Sequence, residues 1–157
     1  MFKKLTHIIL FLISVFDLTL GQLGFEEPED TQNHLYPCWT YINCVSEEGG
    51  PERQKRDECM APLQEADIGS GIDNVKKGYY KLETKGFLPL VEEFCSKKGS
   101  ERKSAFDKIT KGLTNYYMVT CSSPGGQDEC GRWGDAADCV VALMEELNGQ
   151  GKCEVSE

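Results

Sequence analysis

Eight cysteines constrain what this chain can fold into more than any other feature of its sequence. In an exported chain, an even number of cysteines indicates that all of them form disulfides. The sequence therefore predicts four bridges with no free thiol, and it leaves their connectivity open because eight cysteines can pair in many ways. The cysteines are Cys38, Cys44, Cys59, Cys95, Cys121, Cys130, Cys139 and Cys153.

The first residues indicate that the chain is exported. Lys3 and Lys4 precede an apolar run at residues 8–13, and the small residue Gly21 follows. This order is typical of a secretory signal peptide. The apolar run is too short for a membrane-spanning helix, which needs about 20 apolar residues. We predict a signal peptide at residues 1–21, a secreted, extracellular product and no membrane anchor.

The mature chain divides into a tail and one domain. Residues 22–35 are polar and acidic and show no apolar period, which predicts a disordered tail. The remaining residues, 36–157, are numerous enough to form a core of their own and carry every cysteine. We predict that they form a single disulfide-braced helical domain.

Apolar residues recur at helical spacing through most of this domain, and strand-like alternation is nearly absent. The fold is therefore predicted to be all-α, with five or six short helices cross-linked by the four disulfides. A loop is expected from Ser122 to Gly134, and Asp135 is expected to cap the last helix. Cys38 and Cys44 point away from each other on one predicted helix, so we expect them to bond different partners. The clearest helix has the inward face Phe106, Ile109, Leu113, Tyr117 and Cys121.

The chain lacks the residues that most catalytic sites need. Histidine is the usual general base near neutral pH, and the predicted mature sequence holds one histidine, His34, in the tail. Cysteines held in disulfides do not act as nucleophiles. The sequence contains no Cys-x-x-Cys pair, which is the spacing typical of zinc sites. We therefore expect a non-enzymatic protein with no catalytic residue, metal or cofactor.

Charge is unevenly distributed along the chain. The whole sequence has 26 acidic and 17 basic residues, a net charge of −9, which disfavours nucleic acid as a partner. Residues 76–111 are basic, with ten lysines and arginines against five acids. The alternative to a binding role is that this segment packs against the acidic ends of the chain or keeps the surface soluble. Four cations where two predicted helices meet form a candidate binding surface, the basic turn: Lys97, Lys98, Arg102 and Lys103.

A second basic segment is a candidate processing site. Arg53-Gln54-Lys55-Arg56 resembles a proprotein-convertase site of the Arg-x-Lys-Arg type, and cleavage there would suit a processed toxin. The alternative is that the same residues form a solvated charged face of a helix.

The spacing of three cysteines resembles that of a known carrier family. Cys121-x8-Cys130-x8-Cys139 is similar to the last three cysteines of insect odorant-binding proteins, which are secreted all-α carriers of small lipophilic ligands. The Cys-x3-Cys pair of that family has no counterpart here. The layout of leader, acidic tail and eight cysteines also resembles arthropod-type secreted cysteine-rich proteins of venom, saliva or haemolymph.

These observations favour two functions. The first is a secreted interaction protein, a venom or salivary component that binds a host or prey protein through the basic turn. The second is an extracellular carrier that encloses a small lipophilic ligand between its helices. A carrier needs an apolar cavity, whereas a surface binder is filled solid, and in either case we expect a monomer. The residues predicted to line such a cavity are Phe94, Phe106, Ile109, Leu113 and Met144.

Overall fold

Six α-helices and one π-helical segment make up the fold in the computed structural model, which describes residues 34–154. No strand occurs in that range, so the all-α prediction is confirmed. The predicted signal peptide and residues 22–33 of the predicted tail lie outside the described residues. The elements are α1 (Leu35–Thr40), continuing as a π-helical segment (Tyr41–Val45), α2 (Pro51–Met60), α3 (Glu65–Gly78), α4 (Phe87–Ser96), α5 (Gly99–Ser122) and α6 (Gln127–Gly149).

Local sequence signals account for three of the helix starts. Pro51 occupies the first position of α2, where its missing N–H removes no helical hydrogen bond. A capping box begins α3, in which the Asp67 carboxylate accepts a hydrogen bond from the backbone N–H of Gln64 at 2.9 Å. Gly86 precedes α4 with a φ of 97°, a left-handed conformation that favours glycine. The starts of α2, α3 and α4 therefore follow from the residues around them.

The predicted start of the last helix is wrong. The loop expected over residues 122–134 ends early, because α6 begins at Gln127 and Asp135 lies inside the helix. Asp128 and Glu129 occupy the first turn of α6, where carboxylates interact favourably with the helix dipole. These carboxylates, together with the packing of α6 on its neighbours, outweigh the glycines that suggested a loop.

Two further expectations need correction. The predicted tail ends too late, because Leu35, its last residue, already begins α1 and is half-buried. The helices are not all short, since α5 has 24 residues and α6 has 23. The long pair α5 and α6 forms a helical hairpin on which the other elements pack.

The core consists of two clusters of buried apolar side chains. One cluster joins α1, α2 and α6 and includes Ile42 and Leu143. The other joins α3, α4 and α5 and includes Val75 and Phe94. Since α2 packs mainly on α6 and α3 packs mainly on α5, the contact between α5 and α6 brings the two clusters side by side.

All eight cysteines are paired, as predicted. Cys38 bonds Cys153 and Cys44 bonds Cys95, so the expectation of different partners for Cys38 and Cys44 is confirmed. Four disulfides indicate that the chain matures in an oxidising environment. The other two bridges connect α6 with α2 and with α5, respectively: Cys59–Cys139 and Cys121–Cys130.

Close contact between α3 and α5 depends on Gly112. A Cβ atom at this position would lie 2.8 Å from Cγ2 of Val75 and 3.1 Å from the ring of Tyr79. We expect Gly112→Ala to lower the free energy of unfolding by about 1–3 kcal/mol, measured by urea denaturation, because the two helices must separate. Gly131→Ala is the matched control, since a Cβ there meets nothing within 4 Å and should be neutral or mildly stabilising. Equal stability of the two variants would contradict the close packing.

Candidate functional site

A cavity of about 290 Å³ lies between the helices. All six helices contribute side chains to its wall. Its volume is close to the lower end of the range for small-molecule sites, which is about 300–1,000 Å³. The cavity is therefore the candidate functional site.

The five side chains predicted to line a ligand cavity all lie in its wall. Phe94, Ile109 and Met144 are buried, and Phe106 and Leu113 are half-buried. They come from α4, α5 and α6, which shows that the helical spacing in the sequence identified the correct inward faces.

Aromatic rings form a large part of the wall. Both tryptophans of the chain, Trp39 on α1 and Trp133 on α6, line the cavity. Trp39 packs edge-on against Phe87 at 6.4 Å between ring centroids, and Trp133 packs edge-on against Tyr116 at 6.1 Å. These contacts hold the rings in place, so the wall is preformed on that side.

The sequence analysis missed Trp39, Phe87 and Trp133. Trp133 lies in the predicted loop, and this stretch proves to be the first part of α6. Extending the helix of Val140 and Met144 backwards in steps of three and four residues reaches Trp133, and this signal could have found it. Trp39 and Phe87 face the cavity because of tertiary packing that no local pattern indicates.

The exposed part of the cavity wall lies on α5 and α6. Five lining residues are exposed, and they lie three or four positions apart on these two helices, so each set forms one stripe. The exposed part of the wall therefore runs along the hairpin. The five residues are Thr110, Thr114 and Tyr117 on α5 and Ala137 and Val141 on α6.

An ion pair between a half-buried arginine and a buried aspartate fixes α6 relative to α3 beside the cavity. Arg132, the neighbour of Trp133, donates two hydrogen bonds to the Asp67 carboxylate, at 2.7 and 2.8 Å. Asp67 also accepts the capping hydrogen bond from Gln64. The hydrogen bonds from Arg132, followed by that from Gln64, hold the pKa of Asp67 below its ordinary value of 3.8, although burial acts in the opposite direction.

We expect Asp67→Asn to lower the free energy of unfolding at neutral pH by about 1–3 kcal/mol, because it breaks a charge-assisted pair at a helix start. Folding lowers the pKa of Asp67. The carboxylate therefore contributes fully to the free energy of unfolding above the pKa of the unfolded state, and this contribution is lost as the pH falls through the lower pKa of the folded state. Urea denaturation from pH 7 down to about 2 measures both effects. Asp73→Asn, on an exposed position of the same helix, is the control. If Asp67→Asn loses stability in acid as steeply as the wild type does, the acid sensitivity does not come from Asp67 and this assignment is wrong.

The four cations of the basic turn lie at the junction of α4 and α5, and three of them make contacts within the chain. The ammonium group of Lys97 lies 5.7 Å from the ring centroid of Tyr80, and hydrogen bonding with Tyr80 raises the pKa of Lys97. Arg102 donates hydrogen bonds to backbone carbonyls at the end of α4, and Lys103 pairs with Asp107. Lys98 is exposed. The basic turn therefore has a structural role of its own.

We expect Arg102→Glu to lower the free energy of unfolding by about 1–3 kcal/mol, because it removes the donors to the carbonyls of Cys95 and Lys97. Lys98→Glu is the matched control and should change stability by less than about 0.5 kcal/mol. Thermal unfolding of both variants checks the difference. Equal melting temperatures would show that the Arg102 hydrogen bonds contribute nothing. Any target assay of the basic turn should therefore start from Lys98→Glu.

The candidate processing site lies within α2. The alternative of a solvated charged face is wrong for Arg56, which is 3% exposed. Its guanidinium lies 5.3 Å from the ring centroid of Phe87 and donates a hydrogen bond to the side-chain oxygen of Asn43 at 2.8 Å. These partners are distant in sequence, which is why the basic run alone suggested exposure. A protease would have to unfold α2 to reach this segment.

Within residues 34–154, no three acidic, histidine or cysteine side chains come together as metal ligands do. None of the helices described for the chain combines the length and apolar character needed to cross a bilayer. No family model, no curated protein and no solved structure matches the chain. The class of protein is therefore defined by its own structure: an all-α chain, braced by four disulfides, whose helices surround an apolar cavity.

Proposed function

We propose that the protein is a secreted carrier that holds a small lipophilic ligand between its helices. The observation that carries this proposal is the apolar cavity of about 290 Å³. Its wall includes the five side chains that the sequence predicted for such a role, and the exposed part of that wall lies on α5 and α6.

An apolar cavity favours an apolar occupant on physical grounds. Side chains around a void lose dispersion contacts on one side, and water gains little there because it finds few hydrogen-bond partners. A lipophilic ligand restores those contacts and leaves water at the same time, which contributes roughly 25 cal/mol for each Å² of apolar surface buried. Binding then needs little reorganisation, because the disulfides hold the helices in place.

Secretion is the setting that fits this role. Four disulfides support an oxidising compartment, and the predicted signal peptide at residues 1–21 supports export. A monomer is sufficient, because one chain supplies the whole wall of the cavity. No catalytic group is needed for this function.

Tryptophan fluorescence tests the proposal without a label, because both tryptophans line the cavity. We expect 1-decanol to change the tryptophan emission saturably, with one molecule bound per chain, and to displace the fluorescent hydrocarbon amine 1-aminoanthracene. Unchanged emission, together with no displacement by any of a panel of alcohols, esters and terpenes, would overturn the carrier proposal.

Binding of a host or prey protein through the basic turn stays a prediction. Lys98 and Lys103 are exposed, and Lys97, Arg102 and Lys103 have partners within the chain. The cavity favours the carrier because a surface binder does not need an unfilled interior.

A further inference from the structure

The wall of the cavity carries no ionic group. None of its lining residues is an aspartate, glutamate, lysine, arginine or histidine. A charged group moved from water into such surroundings loses its hydration and gains no counter-charge, which is far more costly than burying a neutral polar group. The wall therefore discriminates between ligands by charge.

The wall also offers almost no polar surface. Thr110, Thr114 and Tyr117 line the cavity from one stripe of α5, yet carbon atoms make up nearly all of the wall. The indole N–H of Trp133 is buried and is not exposed to the cavity. A ligand therefore meets apolar atoms and no group that would balance a charge.

The volume limits the size of the occupant. A cavity of about 290 Å³ corresponds to roughly ten water molecules at their volume in the liquid, so it suits a body on the order of ten to fifteen non-hydrogen atoms. A long acyl chain would extend beyond the cavity into water. The ligand is therefore compact.

From these three observations we infer that the ligand is a compact, uncharged lipophile that makes almost wholly apolar contacts with the protein. Its body lies among the aromatic rings of the wall. This inference rests on the proposed carrier function and states which class of ligand the carrier accepts. Fatty acid anions and alkylammonium ions are excluded from the class.

Three ligands with the same alkyl chain test the inference: 1-decanol, decanoic acid and decylamine. Binding is followed by tryptophan emission and by displacement of 1-aminoanthracene. At about pH 7.5, where the acid and the amine are ionised, we expect 1-decanol to bind at least about tenfold more tightly than either. At about pH 4, where much of the acid is neutral, we expect the affinity for decanoic acid to approach that for 1-decanol.

Different outcomes test this inference and the carrier proposal on which it rests. Equal affinities for 1-decanol and decanoate at neutral pH would overturn the inference and leave the carrier standing. Failure of all three compounds and of decane to bind would overturn both.

Discussion

Replacing Ala136 with phenylalanine is expected to abolish binding of 1-decanol, with a loss of affinity of more than about 100-fold. Ala136 is 2% exposed and lines the cavity from α6, so the new ring takes the space of the ligand body. The protein should nevertheless stay folded, with a change in unfolding free energy of less than about 1.5 kcal/mol, because the ring enters existing empty space. Tryptophan fluorescence measures binding, and urea denaturation measures stability.

Ala142→Phe is the matched control for this experiment. Ala142 lies on the same helix, is exposed and does not line the cavity. We expect this variant to bind 1-decanol like the wild type. If Ala136→Phe binds as well as the control, the ligand lies elsewhere and the cavity is not the binding site.

Removing the bridge between Cys38 and Cys153 is expected to cause a larger loss of stability than removing the short bridge between Cys121 and Cys130. It joins residues 115 positions apart, and both cysteines are buried. If no other bridge were present, closing a loop of that length would stabilise the folded state by about 5 kcal/mol, because it lowers the entropy of the unfolded chain. The Cys59–Cys139 bridge lies inside the loop and shortens it, so we expect the double variant Cys38→Ala, Cys153→Ala to lose about 3–4 kcal/mol. This is a large part of the 5–15 kcal/mol that typically separates folded from unfolded domains.

The matched control removes the bridge between Cys121 and Cys130. It spans 9 positions, and both cysteines are half-buried, so the double variant with alanine at both positions should lose about 2–3 kcal/mol. Urea denaturation under non-reducing conditions compares the two variants. A greater loss from the short bridge than from the long one would contradict the role assigned to the Cys38–Cys153 bridge.

Much of the fold could be predicted because its signals are local. The spacing of apolar residues identified the helix of Phe106, Ile109 and Leu113, and the opposite directions of Cys38 and Cys44 on one predicted helix indicated bridges to different partners. The start of α6 escaped prediction because Gly131 and Gly134 suggest a loop, whereas acidic residues and neighbouring helices favour a helix.

Features that depend on distant contacts could not be predicted. Arg56 is buried because Phe87 and Asn43 meet it from other parts of the chain. The exposed part of the cavity wall is likewise set by the placement of α5 beside α6, and nothing in the residues around Ala137 or Val141 indicates it. Sequence periodicity thus finds which side chains face inward, and the packing of helices decides whether the space between those side chains is filled.

A crystal structure of the protein grown with 1-decanol tests the central claim most directly. We predict electron density for one decanol molecule between α5 and α6, with its chain against Phe94, Phe106 and Leu113. A structure in which side chains close this space, or in which decanol binds only on the outer surface, would contradict a carrier built around an internal apolar cavity.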